Sequence, residues 1–197
     1  SILTDVSDAI MFHIDVGTGS ALMFNNKIYC GTRGFAGEIG YFKLDAFRTR
    51  DDDYGNLKYS NYFDSLSLYS VLEIVRREVS GGSEGYLTDL ALKRGVDAYG
   101  ITIKDMTDAY IAGDPVTVRA IDSSARVLGS VAANLAEYLD IDMIVINGAA
   151  VDLGENYLNA VRETARGKKV EYSSLLSDTT IMGAVNAGIT QAFSLRL

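Results

Sequence analysis

Ala9-Ile10-Met11-Phe12-His13-Ile14-Asp15-Val16-Gly17-Thr18-Gly19-Ser20-Ala21-Leu22-Met23-Phe24-Asn25-Asn26-Lys27-Ile28-Tyr29 reads as strands joined by tight turns. The first eight residues form an almost continuous apolar run, as expected of a mostly buried strand. Gly17-Thr18-Gly19 is the first expected turn, and Ser20 to Phe24 the returning strand. Asn25-Asn26 fits a second turn, because Asn tolerates positive φ better than other non-glycine residues. Lys27-Ile28-Tyr29 then makes a short third strand. The element is an antiparallel meander.

Outward from the meander, glycines stand at 31, 34, 37 and 40. That density is too high for a helix, and the stretch is too apolar for a solvated linker. It predicts a backbone that folds closely around something. Lys43 to Asn61 is polar, with Arg48-Thr49-Arg50-Asp51-Asp52-Asp53 at its centre, and reads as an exposed loop. Tyr54, Tyr59, Tyr62 and Tyr69 cluster around it; they fit either the lining of a pocket or a small satellite core.

Helical spacing follows. Leu68, Leu72, Val75 and Val79 lie on one helix face, and Gly81-Gly82 ends it. Tyr86 to Arg94 forms a short helix closed by Gly95. Thr102 to Asp105 has the pattern of a capping box, opening a helix to about Ala112. Asp114-Pro115 starts the longest helix, in which Ile121, Leu128, Val131, Leu135 and Leu139 keep the period. Met143-Ile144-Val145-Ile146 is a strand of the kind buried on both faces. Asn147 to Ala150 is a turn, Glu155 to Arg166 a helix, Lys169 to Tyr172 a strand and Thr180 to Leu195 a closing helix. The fold class is therefore α/β: a three-strand antiparallel meander plus parallel strands covered by helices.

Composition excludes several functions. With 48% hydrophobic and 22% charged residues in 197, the chain can bury the core of one domain. Eighteen Lys and Arg against 26 Asp and Glu give a net charge of -8, unsuited to nonspecific binding of nucleic acid or of an anionic membrane. One Cys, Cys30, rules out an internal disulfide and a multi-cysteine zinc cluster and suits a reducing compartment. Cys30 reads as a small core residue. The single His, His13, makes a histidine metal site improbable, and its mid-strand place fits a satisfied buried imidazole better than a base. No apolar run is long enough for a membrane span. The start, Ser1-Ile2-Leu3-Thr4-Asp5, has neither the basic region nor the apolar core of a signal peptide, and no Met, which fits a piece of a longer protein.

The stretch from Ile14 to Tyr41 resembles the signature of the ROK family of sugar-responsive repressors and sugar kinases. The matching residues are Ile14, Gly17-Thr18-Gly19-Ser20-Ala21, Gly31, and Gly34-Phe35-Ala36-Gly37-Glu38-Ile39-Gly40-Tyr41. Ile101-Thr102, Gly113-Asp114, Ile146-Asn147-Gly148-Ala149-Ala150 and Ile181-Met182-Gly183-Ala184 follow in the family's order, so the likeness covers nearly the whole chain. It implies an actin-like ATPase (ribonuclease H-like) fold of two lobes, of which residues 1–197 look like the C-terminal lobe, one domain with a helical insertion at about 66–113. The N-terminal lobe and any DNA-binding domain would then lie outside this chain.

The resemblance also assigns site residues. Glu38 matches the acid that contacts sugar, with Gly37 beside it; a carboxylate held in a glycine-rich turn can accept hydrogen bonds from two adjacent hydroxyls. A solvent-exposed loop acid is the plainer reading. Tyr41 stands where the family has a zinc-ligating His, and phenol is a poor ligand for structural zinc. No cysteine loop follows in Asp51 to Asn56, so no zinc is expected. Tyr41 fits a hydrogen bond or a stack on a sugar, or simple packing. Gly17, Thr18 and Gly19 match a phosphate-binding turn, which would work through backbone N–H groups and a hydroxyl. Gly148 and Ala149 match the adenosine-side turn, where family kinases carry two glycines.

Two functional readings follow from the resemblance. One is the sugar-binding domain of a transcriptional regulator, non-catalytic on its own, reaching DNA through a region absent from this chain. The other is the C-terminal half of an ATP-dependent sugar kinase, whose catalytic Asp lies on the missing lobe and which would need ATP and Mg²⁺. A monosaccharide or sugar derivative as ligand, a homodimer and a cytoplasmic location are implied by the resemblance. A lobe that only dimerises is a third reading.

Overall fold

The structure, a computed structural model, describes residues 6–44 and 63–173. The charge run at 48–53, Tyr54, Tyr59, Tyr62, Ile181 to Ala184 and the expected closing helix lie outside them. Five strands form one sheet in the order β3-β2-β1-β4-β5. Strands β1 (Ala9–Ile14), β2 (Thr18–Phe24) and β3 (Lys27–Ile28) are the antiparallel meander. Strands β4 (Met143–Asn147) and β5 (Lys169–Tyr172) run parallel to β1. Asn25 and Asn26 both take positive φ, 50° and 61°, giving the two-residue hairpin expected of that pair.

The first turn differs from the expectation. It is made by Asp15, Val16 and Gly17, while Thr18 and Gly19 already belong to β2. The Asp15 N–H donates to the Gly17 carbonyl at 2.9 Å, which reverses the chain two residues earlier than the glycine pair suggests.

Five helices accompany the sheet among the described residues: α1 (Leu68–Ser80), α2 (Tyr86–Arg94), α3 (Ile103–Ile111), α4 (Pro115–Tyr138) and α5 (Gly154–Thr164). Their start signals are physical. Ser67 accepts from the Ser70 N–H, and Thr102 and Asp105 close a reciprocal capping box. Asp114 does double service. One carboxylate oxygen accepts from Val116 and Thr117 N–H at 3.1 and 2.9 Å, and the other accepts from Tyr86 N–H at 2.9 Å, so one buried acid caps both α4 and α2.

Alternation in the strands sets two faces. Ile10, Phe12, Ile14, Ile144 and Ile146 join the helices in the main core. There Phe12 stacks on Phe63 with ring centroids 5.7 Å apart. Ala9, Met143 and Val145 form a smaller cluster with Met11 and Met23 on the opposite face. Cys30 is exposed rather than in the core, because β3 ends at Ile28 and carries the following residues off the sheet. No described helix is long and apolar enough to cross a membrane.

Candidate functional site

Two segments of interest meet the same end of the sheet. Strands β1 and β4 are parallel neighbours, and the chain leaves them toward opposite edges, β1 into β2 and β4 through α5 into β5. A crevice at the carboxyl ends of such a strand pair is the usual ligand position in open α/β sheets. The turn at Asp15–Gly17 and the turn opened by Gly148 stand there. Gly148 has φ +84°, and a Cβ on it would lie 2.6 Å from the Ile14 carbonyl oxygen, so only glycine lets the second turn approach the end of β1.

Asp15 ties the two turns together. Its carboxylate accepts from the Val16 N–H at 2.7 Å and from the Ala149 N–H at 3.2 Å. Its carbonyl accepts from the Leu68 N–H at 2.8 Å, which fixes the start of α1 against the same turn. Tyr172 holds the far side of the Gly148 turn by donating to the Gly154 carbonyl at 2.7 Å, and burial pushes its phenol pKa upward.

His13 has a hydrogen-bond partner, as expected of a satisfied imidazole, but is half-buried rather than buried. It is the penultimate residue of β1, paired in register with Asn147 and joined to it by Nδ1···Oδ1 at 3.0 Å. It abuts Gly148, so it stands beside the turn at the carboxyl end of β4. Asn147 itself is buried, and its amide reaches the Met11 sulfur at 3.3 Å.

The glycine-rich segment docks on β2. Gly37 has φ +88°, and a Cβ there would stand 2.4 Å from the Ser20 carbonyl oxygen. The Ser20 hydroxyl donates to the Gly37 carbonyl at 2.8 Å, and the Ile39 N–H donates to the same oxygen at 2.6 Å. Ile39 is buried and anchors the short 3-10 turn Ile39–Tyr41. Gly40 lies against Thr18, the first residue of β2 after the Asp15 turn. The backbone on either side of Glu38 is thus fixed, while Glu38 itself is exposed. Among the described residues its carboxylate has no hydrogen-bonding or ionic partner. Tyr41 is 79% exposed, so it is not packed among the described residues. Tyr69, in the first turn of α1, is half exposed.

The Asp15 contacts and the His13–Asn147 pair join these turns without a signal in the local sequence pattern. Asp15 was hidden inside an apolar run, although an acid two residues before a glycine at a strand end is a turn signal. No group of three or more His, Cys, Asp or Glu able to hold a metal occurs among the described residues.

Residues 3–175 match the model of the ROK family. The chain belongs to the ROK family. It is 27% identical over 198 residues to the xylose repressor of Caldicellulosiruptor bescii, covering 96% of this chain and 48% of the repressor. It is 26% identical to the glucokinase of Halalkalibacterium halodurans, covering 88% of this chain and 54% of that enzyme. The chain therefore spans about half the length of these relatives. Among solved structures, a ROK family glucokinase from Streptomyces griseus in complex with glucose and AMPPNP superposes with TM-score 0.74 at 22% identity, covering 92% of this chain and 60% of the enzyme. A ROK family transcriptional regulator, homologous to the Escherichia coli MLC protein, gives 0.68 at 19% identity, covering 85% of this chain and 41% of the regulator. These likenesses establish the actin-like lobe; both repressors and kinases share it.

Proposed function

We propose that this chain is the sugar-binding lobe of a ROK-type transcriptional regulator, non-catalytic by itself and cytoplasmic. The observation that carries the reading is Glu38: an exposed carboxylate, without a partner among the described residues, on a backbone locked to β2 through Gly37, Ser20 and Ile39. Such an acid loses little conformational freedom on binding, and charge-assisted bonds to a hydroxyl pair are stronger than neutral ones. Tyr41, equally exposed and two residues beyond Ile39, supplies a ring face or a phenol donor to the same ligand. Sugar binding would bias closure of this lobe on a second lobe, and with it the placement of DNA-reading elements. Regulation rather than phosphoryl transfer is favoured by Ala149 in place of a glycine, by Tyr41 in place of a histidine, and by the match to a xylose repressor over 96% of the chain. The lobe works in a homodimer and carries no zinc, which elemental analysis checks.

A kinase remains the second reading, favoured by the match to a glucokinase over 88% of the chain. It would require ATP and Mg²⁺ and a general base on the other lobe.

The test is a melting-temperature screen of the chain against xylose, glucose, N-acetylmannosamine and sucrose, the sugars named among its relatives. One sugar at a hundred times its dissociation constant adds about 2.7 kcal/mol of stability. Glu38→Gln removes most of that gain. Absence of a shift with every sugar, or an identical shift in Glu38→Gln, refutes the assignment.

A further inference from the structure

We propose that Asp15 is a built-in anion that closes the two turns at the carboxyl ends of β1 and β4 to nucleotide phosphate. Glycine turns capture phosphate by aiming backbone N–H groups at it. Here the Val16 and Ala149 N–H groups, one from each turn, already converge on a single carboxylate, at 2.7 and 3.2 Å. The Asp15 N–H is spent on the Gly17 carbonyl, and the Val151 N–H on the Gly148 carbonyl. A phosphate entering between the turns would have to displace the carboxylate from these donors and then lie beside its negative charge. The Asp15 backbone cannot retreat, because its carbonyl is held by the first N–H of α1 and Gly148 packs on the adjoining Ile14 carbonyl. His13, next to the Gly148 turn, has its Nδ1 engaged with Asn147.

The inference concerns selection against a ligand and stands apart from the sugar reading, since Glu38 and its segment are not involved. A purely structural role for Asp15, as a turn-forming acid, predicts a loss of stability on substitution and nothing else. An excluding role predicts a gain of binding, which no structural role supplies.

The experiment is titration calorimetry of the chain with AMPPNP and Mg²⁺, and separately with inorganic pyrophosphate. The unaltered chain is expected to bind neither below the millimolar range. Asp15→Ser and the near-isosteric Asp15→Asn are expected to bind at least one of them tenfold or more tightly. Circular dichroism melting selects the variant that folds, and Asp15→Asn keeps an acceptor for one of the two N–H groups. Micromolar binding of AMPPNP or pyrophosphate by the unaltered chain overturns the proposal. So does a folded Asp15 variant whose affinity for both probes is unchanged. The sugar screen is run on the same variants, and a retained sugar response separates failure of this proposal from failure of the Glu38 assignment.

Discussion

Asp114 and Glu38 are both acids at the start of a helical turn, yet the molecule treats them in opposite ways. Asp114 is buried on the helical flank and accepts three backbone N–H groups from two helices. Glu38 opens the Ile39–Tyr41 turn with no side-chain cap bond and stands in solvent. The first is structure, because desolvating a carboxylate is tolerable only when its oxygens are satisfied. The second has no partner among the described residues, while its neighbours Gly37 and Ile39 are fixed by hydrogen bonds and close contact. That contrast separates an acid that holds the protein together from one available to a ligand. Asp15 stands between them, half-buried and joined to two amides.

Asp114→Ala is the largest perturbation of the contrast. It removes the cap of two helices and strands three N–H groups, for an expected loss of about 3 kcal/mol. At roughly 2–4 °C per kcal/mol for a chain of this size, calorimetry would show a fall of about 6–12 °C. The sugar response of the folded fraction should persist; its disappearance would mean that the flank and the sheet end are coupled.

Gly37→Ala comes next. The added methyl meets the Ser20 carbonyl at 2.4 Å in a backbone conformation that L-residues avoid. A loss of about 2 kcal/mol is expected from urea unfolding, in the range of overpacking and positive-φ strain. Here the sugar response should weaken as well, since the shift displaces Glu38. A stable variant with full response would show that Glu38 does not depend on its docked neighbour.

Much of this contrast was legible beforehand, for local reasons. Caps at Thr102 and Asp114, the stop at Gly95 and the Asn25-Asn26 hairpin involve residues within a few positions of one another. Glu38 and Gly37 were found only through the resemblance of a longer pattern, because a lone acid among glycines has no period. What escaped was non-local. Asp15 reaches Ala149 across 134 residues, and His13 meets Asn147 only when β1 and β4 pair in parallel. Cys30 went the other way. Its residue type predicts a small core side chain, but a sheet edge two residues long leaves it outside.

Asp105 offers a smaller test on the flank. Burial would raise its carboxyl pKa, but the Arg94 guanidinium at 2.9 Å and the Thr102 N–H and hydroxyl hold it below the ordinary value. A lowered carboxyl pKa contributes stability that is present above the unfolded value of about 4 and is lost as pH falls through the folded one. Asp105→Asn should therefore cost about 1 kcal/mol at pH 7 and progressively less below about pH 4, read from unfolding midpoints across that range. An equal loss at both pH values would assign the effect to packing alone.

Glu38→Gln should change stability least, within about 0.5 kcal/mol, since an exposed side chain away from caps and ion pairs has nothing to forfeit. Thermal unfolding without ligand checks it. If Glu38 held the loop, its loss would lower both stability and sugar response, and the two could not be told apart. Because Gly37, Ser20 and Ile39 hold the loop without it, any fall in sugar response at unchanged melting temperature belongs to the carboxylate itself. A clear destabilisation would place Glu38 with Asp114 among the structural acids and leave the sheet end without its ligand-facing charge.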